Sequence, residues 1–360
     1  METRAELYRQ AIEAREAGDP DRAERLLAEA IAAFQAAEGT NSPDAANVLN
    51  VLAGLRDERG DINGALNALE EAASILNTLD GAFEGEQAAL VRLETWSRLG
   101  NLYRHLARYT EAERLLRRAL ELAVVKFGEA SDAASTARNN LGILYKYTVE
   151  FDRAEELYRV ALENIEREFG PGHPSTASLY HNLGGLEHAR GNVARGEPYA
   201  RKAWEIRAVA LGPDHPETLA DAAALAGLLD GLGRYDESEP IYRDVLDKLE
   251  RIYGLEHYEI VVNMHNLANV RYARGDYAEA EALFRRVLAI KEKTLGPCHP
   301  DTALTLNNLG VLLHACRRES EAKELLDRAH DIFRTTLGDE HPQTQMAREN
   351  LDGISRAGLK

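Results

Sequence analysis

Apolar residues recur along the chain at the spacing that places them on one face of an α-helix. After Pro300 this pattern continues for about 16 residues, which is the length of a four-turn helix. A short break follows, often marked by a glycine such as Gly275, and a second apolar pattern of the same period begins. The pattern therefore predicts pairs of helices, helix A and helix B, joined by short turns.

The helix pair repeats along the chain with a period of 42 residues. Leucines mark it at Leu99, Leu141, Leu183, Leu225, Leu267, Leu309 and Leu351. Loop glycines share the period and precede His-Pro in FGPGHPST, LGPDHPET and LGPCHPDT. Small residues in helix B place two earlier copies of the repeat. Five extra residues separate the second copy from the third, and we assign them to an exposed loop around 79–87.

The sequence thus predicts eight repeats and a final capping helix. The repeats are 4–38, 43–80, 90–127, 132–169, 174–211, 216–253, 258–295 and 300–337, and the capping helix is 342–356. One helix pair cannot bury its own apolar face, so the repeats must stack on one another. We expect a single all-α solenoid over residues 1–360 instead of several domains.

Small residues and helix starts refine this picture. Gly100, Gly142, Gly184 and Gly310 in helix A, with alanines facing them in helix B, predict a close approach of the two backbones. Thr110/Glu113, Asp152/Glu155, Asp236/Glu239 and Asp276/Glu279 have the spacing of a capping box at the start of helix B. The histidine before each loop proline is expected to cap helix A or to bond the loop backbone.

The repeats resemble tetratricopeptide repeats in the 42-residue form of kinesin light chains and their bacterial relatives. The resemblance is carried by Trp96, Leu99, Gly100, Tyr103, Ala112 and Ala119, and by LGPDHPETLA and LNNLGVLL. It implies a right-handed superhelix of helix-turn-helix repeats whose A helices line a concave face. No heptad coiled coil precedes the repeats, so we do not expect a motor subunit.

Charge narrows the classes of partner. The 360 residues include 43 Lys and Arg against 60 Asp and Glu, a formal net charge of −17. Such an excess of carboxylates repels nucleic acid and anionic membranes, so neither is an expected partner. The longest uncharged stretch, Thr302 to Cys316, is shorter than the ~20 apolar residues of a membrane-spanning helix. The N-terminal residues lack the apolar core of a secretory signal, and we expect a cytoplasmic protein with two free thiols, Cys298 and Cys316.

Motifs of catalysis and metal binding are missing from the sequence. It contains no phosphate loop, HExxH helix, GxSxG elbow or paired CxxC. The periodic histidines His173, His215, His257, His299 and His341 lie one repeat apart, too far for a shared ion, because zinc holds its nitrogens within ~2.1 Å. We expect no enzyme activity, cofactor or metal.

The resemblance places a ligand on the A helices. In related repeats an asparagine just before the marker leucine clamps the backbone of a bound peptide, and that position holds Asn140, Asn182, Asn266, Asn308 and Asn350 here. The predicted peptide site consists of Asn101, Arg104, Asn140, Lys146, Tyr147, Asn182, Asn266, Asn269, Tyr272 and Asn308. Since this lining is neutral to basic, we hypothesise that repeats three to five receive an acidic or C-terminal carboxylate segment, with Tyr147 beside an anchor side chain.

Several alternatives stay open at this point. The asparagines could bond one another across adjacent A helices and only stabilise the stack. The small residues Ala220, Ala223, Ala224, Gly227 and Gly231 of repeat six interrupt any continuous groove. The leading hypothesis is an interaction scaffold that binds a peptide segment of a partner. The alternative is a regulator whose superhelix changes conformation on binding a peptide or small ligand. The sequence assigns no role to Arg271 or Cys298 and no oligomeric state.

Overall fold

The computed structural model describes residues 3–38, 42–79, 85–254 and 258–357, and in these ranges it contains seventeen helices and no strand. The helices are α1 Arg4–Glu16, α2 Pro20–Glu38, α3 Pro43–Glu58, α4 Ile62–Thr78, α5 Glu86–His105, α6 Tyr109–Phe127, α7 Asp132–Tyr147, α8 Phe151–Phe169, α9 Pro174–Ala189, α10 Val193–Leu211, α11 Pro216–Gly231, α12 Tyr235–Tyr253, α13 Tyr258–Ala273, α14 Tyr277–Thr294, α15 Pro300–Ala315, α16 Glu319–Leu337 and α17 Pro342–Ala357. Odd-numbered helices are the A helices, and even-numbered helices are the B helices. The predicted all-α repeat architecture is confirmed.

The observed helices follow the predicted repeats, with one exception in the third. Helix α5 begins at Glu86, one helical turn before the expected start at residue 90. The assignment of all five extra residues to a loop was therefore wrong, because most of them lengthen this helix. Residues 80–84 of that loop lie outside the described residues.

The helices group into two compact units, residues 1–171 (unit 1, α1–α8) and 172–360 (unit 2, α9–α17). Within each unit a B helix packs against its own A helix and against the A helix of the next repeat, as α4 does with α3 and α5. Successive A helices also touch, so α3, α5 and α7 form one row in unit 1, and α9 to α17 form another in unit 2. Each apolar face is thereby covered by a neighbouring repeat. That residues 1–360 form a single solenoid stays a prediction.

Glycines in the A helices allow the close approach that the sequence predicts. A Cβ added at Gly310 would lie 2.7 Å from Leu326 Cγ and 3.2 Å from the Ala322 carbonyl oxygen of helix α16. At Gly142 the added Cβ would lie 2.6 Å from the Tyr158 ring of helix α8. A side chain at either position would push the B helix away from its partner.

The starts of the A helices confirm one prediction and those of the B helices correct another. Nδ1 of His173 accepts from the Ser175 amide at 3.2 Å, and His215, His299 and His341 cap their helices in the same way. His257 lies outside the described residues. The capping boxes were wrong, since the N-caps of α6, α8 and α12 lie two residues earlier than expected and place Thr110, Asp152 and Asp236 inside the first turn. Asp276 does occupy the N-cap of α14, but its side chain makes no cap hydrogen bond. Carboxylates at these places act on the helix dipole instead.

The turn between helix A and helix B requires a left-handed residue in every repeat. Glycine supplies it at five of these turns, but Ala107, Val149 and Arg317 occupy the others with φ of 58°, 65° and 61°. A β-branched residue is the most strained in this region because its Cβ substituents crowd the following carbonyl. Val149 is also 68% exposed, so its side chain has little packing to compensate.

We expect Gly310→Ala to destabilise the protein by about 1–3 kcal/mol, since the added methyl group meets Leu326 and a backbone oxygen. Gly353 in helix α17 is the matched control, because an added Cβ there meets nothing within 4 Å. Gly353→Ala should stabilise the protein by up to about 1 kcal/mol through helix propensity alone. Urea denaturation measures both, and equal effects at the two positions would contradict the close approach.

We expect Val149→Gly to stabilise the protein by about 1 kcal/mol, because glycine adopts the left-handed conformation without strain. The measurement is thermal denaturation beside Val125→Gly. Val125 is 79% exposed and lies inside helix α6, where glycine should cost a similar amount. A fall in melting temperature for both variants would show that Val149 is not strained.

Candidate functional site

The last turn of each A helix from α3 to α15 presents one side chain at an equivalent position. We call this set the terminal column. It comprises Asp57, Arg104 and Lys146 in unit 1, and His188, Asp230, Tyr272 and His314 in unit 2. The repeat places these side chains in register on successive A helices, while the sequence varies their chemistry from acid to base to aromatic.

In unit 1 two cations of the terminal column lie close to one aromatic ring. The Arg104 guanidinium carbon is 4.7 Å from the centroid of the Tyr147 ring, and Lys146 Nζ is 5.6 Å from it. Burial of the ammonium, together with the nearby positive charge of Arg104, lowers the pKa of Lys146. Both cations are half-buried, whereas Tyr147 is 54% exposed. The arrangement holds two like charges together against a ring that is open to a ligand.

Neither cation has a carboxylate partner among the described residues. Arg104 Nη2 donates to His105 Nε2 at 3.0 Å, and its buried Nε has no hydrogen-bond acceptor. The hydroxyl of the fully buried Tyr158 is also without a partner, and burial raises the pKa of this group while Arg104 opposes the shift. Elsewhere in unit 1 arginines such as Arg108 pair with acids. Arg104 and Lys146 are thus two adjacent cations without a counter-ion among the described residues.

In unit 2 three members of the column contact neighbouring side chains. Asp230 accepts from the Tyr242 hydroxyl at 2.9 Å, and burial raises the pKa of this carboxyl. His314 Nδ1 lies 2.6 Å from the Glu319 carboxylate, and the Tyr272 ring centroid lies 5.7 Å from that of Tyr277. The unpaired cations therefore distinguish unit 1.

The predicted asparagines behave differently in the two units. In unit 2, Asn308 Nδ2 lies 3.2 Å from Asn269 Oδ1 and 3.0 Å from His265 Nε2, and Asn350 donates to Asn307 at 2.9 Å. Asn266 also bonds within the unit, to the Tyr242 hydroxyl. The contacts of Asn308 and Asn350 run across adjacent A helices and are those of the structural alternative, in which the amides stabilise the stack.

In unit 1 the side chain of Asn140 makes no hydrogen bond to any described residue. It shares helix α7 with Lys146 and Tyr147, and Asn101 lies with Arg104 on the neighbouring helix α5. The structure thus brings five of the predicted site residues onto two adjacent A helices of unit 1. Asn182, Asn266, Asn269, Tyr272 and Asn308 lie in unit 2.

A polar pair between successive A helices recurs in three places and was missed from the sequence. The three pairs use the same two positions, two residues before the marker leucine in one repeat and four residues before it in the next. The pairs are Asn50 Nδ2 to Thr95 Oγ1 at 2.9 Å, His181 Nδ1 to Asp221 Oδ1 at 2.7 Å, and Thr305 Oγ1 to His265 Nδ1 at 3.4 Å. Aligning the repeats would have shown polar residues at apolar positions, but not that they bond each other.

Two arginines of unit 2 form ion-pair centres that the sequence did not assign. Arg207, 5% exposed, reaches from helix α10 to Asp221 at 2.6 Å and beside Glu217, at a cavity of about 390 Å³ between α9 and α11. Ala220 of the small-residue interruption and Asn182 line the same cavity. Arg271 pairs with Asp276 at 2.7 Å, Glu279 at 3.1 Å, and Glu239. It therefore ties α12, α13 and α14 together.

The described residues hold no group of three or more His, Cys, Asp or Glu side chains placed to bind a metal ion. Both cysteines are free thiols, with Cys298 exposed. No helix within the described residues is both long and apolar enough to cross a membrane.

Comparison with known proteins places this geometry in a family. The profile of the tetratricopeptide repeat matches residues 3–78, 91–167, 175–251 and 259–334. No curated protein sequence matches the chain at a significant level. Among solved structures, the nearly identical kinesin light chain TPR-like repeats from Podosopora anserina are 25% identical to this chain. The TM-score is 0.49, and the match covers 57% of this chain and 98% of that one.

Two Rap structures are similar to the chain in fold. RapI in its apo form has a TM-score of 0.61 at 15% identity and covers 81% of this chain and 98% of its own. A Rap protein complexed with Competence and Sporulation Factor has a TM-score of 0.53 at 15% identity and covers 98% of each chain. At this identity the likeness concerns the fold alone.

We expect the stability of the protein to fall as the pH drops from about 6.5 to about 4, because His265 must stay neutral when folded. Burial, and to a lesser extent the Lys291 ammonium, lower the pKa of His265 to about 4. The unfolded histidine takes up a proton in this range and the folded one does not, so up to about 3 kcal/mol is lost, and the contribution is complete above pH ~6.5.

The control is His265→Asn, which places at this position the residue type that the next repeat carries at Asn307. Urea denaturation across the pH range should show a shallower loss of stability in the variant than in the wild type. Identical pH slopes for the two proteins would contradict a neutral His265.

Proposed function

Because the chain belongs to the tetratricopeptide repeat family, in the form with a 42-residue repeat, we propose that it is a non-enzymatic scaffold that binds a peptide segment of a partner protein on its A helices. Repeats of this kind act through interaction with other proteins, since stacked helix pairs offer an extended surface. The site we propose lies on helices α5 and α7 of unit 1.

The observation that carries the proposal is the pair of unpaired cations, Arg104 and Lys146. Two positive charges held together and partly removed from water raise the free energy of the unbound protein. An incoming carboxylate removes that repulsion and supplies acceptors to donors that have none. Charge-assisted hydrogen bonds of this kind are among the stronger contacts in proteins.

The chemistry of the segment follows from these donors. The chain has a net charge of −17, so its overall field repels anions. A carboxylate is attracted only where this local cationic site lies. The carboxylate is either an acidic side chain or the C-terminus of the partner segment. The exposed Tyr147 ring, which lies against both cations, offers an apolar surface to a neighbouring side chain of the same segment.

Asn140 supplies the remaining part of the proposed site. Its amide carries a donor and an acceptor, and no described residue occupies either. A peptide backbone presents the complementary pair. The bonded asparagines of unit 2 are assigned to the stack and are left out of the site.

We expect the double variant Arg104→Gln/Lys146→Gln to bind an acidic octapeptide at least about tenfold more weakly than the wild type, because both charge-assisted contacts are lost. Fluorescence anisotropy with a labelled octapeptide ending in Glu-Asp-Glu-Asp measures this. Comparing a free with an amidated C-terminus separates terminal from side-chain recognition. The matched control is Arg114→Gln/Lys126→Gln on helix α6, which removes the same charge from exposed residues without ion pairs.

The melting temperature of the site variant should not fall, since the two cations repel each other in the unbound protein. Equal affinity of the site and control variants for the acidic octapeptide would contradict the proposed site. So would a wild-type protein that does not bind this peptide.

A further inference from the structure

A second pocket opens beside the proposed anion site, on the other side of helix α5. It has a volume of about 210 Å³ and lies between α3, α4 and α5 of unit 1. Its floor is apolar, formed by the buried side chains of Leu69 and Leu102 with two buried alanines. Asp57, Arg98, Asn101 and His105 form its polar walls.

The pocket exists because one side chain is missing from helix α3. Gly54 occupies the position that Asn101 and Ile143 hold in the next two repeats. A Cβ at Gly54 would lie 3.1 Å from Arg98 Nη1, so the space is bounded by the end of that long side chain. The neighbouring repeats fill the corresponding space with their own side chains.

Two acceptors at this pocket lack a donor. The Asp57 carboxylate has no ion pair or hydrogen bond to any described residue, and Asn101 Oδ1 is buried without a partner. Arg98 does not neutralise Asp57, because its Nε donates to Glu94 on its own helix at 2.9 Å. Asp57 is exposed to water, so the cost of an unpaired buried acceptor falls on Asn101 Oδ1, and a bound donor would recover it.

His105 adds no positive charge to the wall. Burial, and next the Arg104 guanidinium, lower its pKa, while the Asp57 carboxylate opposes the shift. Its Nε2 accepts the hydrogen bond from Arg104, which requires the neutral ring. His105 is therefore uncharged at neutral pH, and the cation of the wall is the Arg98 guanidinium, which pairs with Glu94.

We propose that this pocket receives a lysine side chain of the same peptide segment, with its methylene stem on Leu69 and Leu102 and its ammonium between Asp57 and Asn101. The inference rests on the proposed function and adds to it the identity of a second side chain. A purely apolar side chain would leave both acceptors unpaired, and an acidic one would face Asp57. The three donors of the ammonium suffice for the two acceptors.

Spacing along the segment follows from the repeat. Asp57 and Arg104 occupy equivalent positions on successive A helices, whose axes lie about 8–10 Å apart by ordinary helix packing. An extended peptide covers this distance in about three residues at ~3.3 Å each. The lysine and the acidic residue of the segment should therefore be about three residues apart.

The experiment compares three labelled peptides that share one acidic end and differ at a single residue about three positions away from it, with lysine, norleucine or glutamate there. Norleucine keeps the methylene stem and lacks the ammonium. We expect the lysine peptide to bind about fivefold more tightly than the norleucine peptide, and the glutamate peptide to bind most weakly. Moving the lysine by one position either way, and to the other side of the acidic residues, tests the spacing.

Asp57→Asn should remove most of the lysine advantage and leave the affinity for the norleucine peptide unchanged. Glu121→Gln on helix α6 is the charge-matched control, since this exposed residue forms no ion pair. Gly54→Leu, which fills the pocket, should weaken the lysine and norleucine peptides alike, and circular dichroism checks that both variants fold. If one variant does not fold, the other carries the test.

The pocket assignment is overturned if norleucine binds as tightly as lysine at every placement, or if Asp57→Asn weakens both peptides equally. The norleucine peptide reports separately on the proposed function. If its affinity is insensitive to Arg104→Gln/Lys146→Gln, the anion site itself is wrong. If the affinity of the norleucine peptide is sensitive to these substitutions but lysine brings no advantage, only the pocket assignment is wrong.

Discussion

Each helix pair of this protein carries an apolar face that it cannot cover alone, and the rest of the structure depends on burying that face against the next repeat. Glycines such as Gly142 and Gly310 let helix B lie directly on helix A, and the next A helix closes the other side. This packing occupies the apolar positions of both helices. The outward positions of the A helices take no part in this apolar packing, so their residue types can vary from repeat to repeat.

The terminal column shows how this freedom is used. In unit 2 Asp230 bonds to Tyr242 and His314 lies against Glu319. In unit 1, Arg104 and Lys146 have no counter-ion and Asp57 has no donor among the described residues. A backbone that stays constant therefore carries paired side chains at some of these positions and two adjacent unpaired cations in unit 1. Unsatisfied polar groups are costly unless a ligand completes them, which is why unit 1 is the better candidate for binding.

The buried polar pairs limit how far residue type alone can be interpreted. Asn308 and Asn140 occupy equivalent positions, yet the first bonds its neighbours on adjacent helices and the second bonds no described residue. Asn308 bonds to His265 and Asn269, whereas Ser97 and Asn101, at the equivalent positions on the helix before Asn140, make no hydrogen bond to it. An asparagine at this repeated position can therefore either bond adjacent helices or keep its amide open, and the side chains of the neighbouring repeat decide which.

The sequence by itself determined the period, the pairing of helices and nearly all helix bounds, because these depend on the local spacing of apolar, Gly, Pro and His residues. It also indicated Arg104, Lys146 and Tyr147 as candidates. It misplaced the start of α5 and the caps of the B helices, where an extra turn or an earlier start depends on packing. The tertiary structure alone decided which polar groups pair, as with Arg207 and Asp221, and which stay open, as at Asp57. Such pairing joins residues on different helices and depends on how side chains reach across neighbouring helices, which no local spacing encodes.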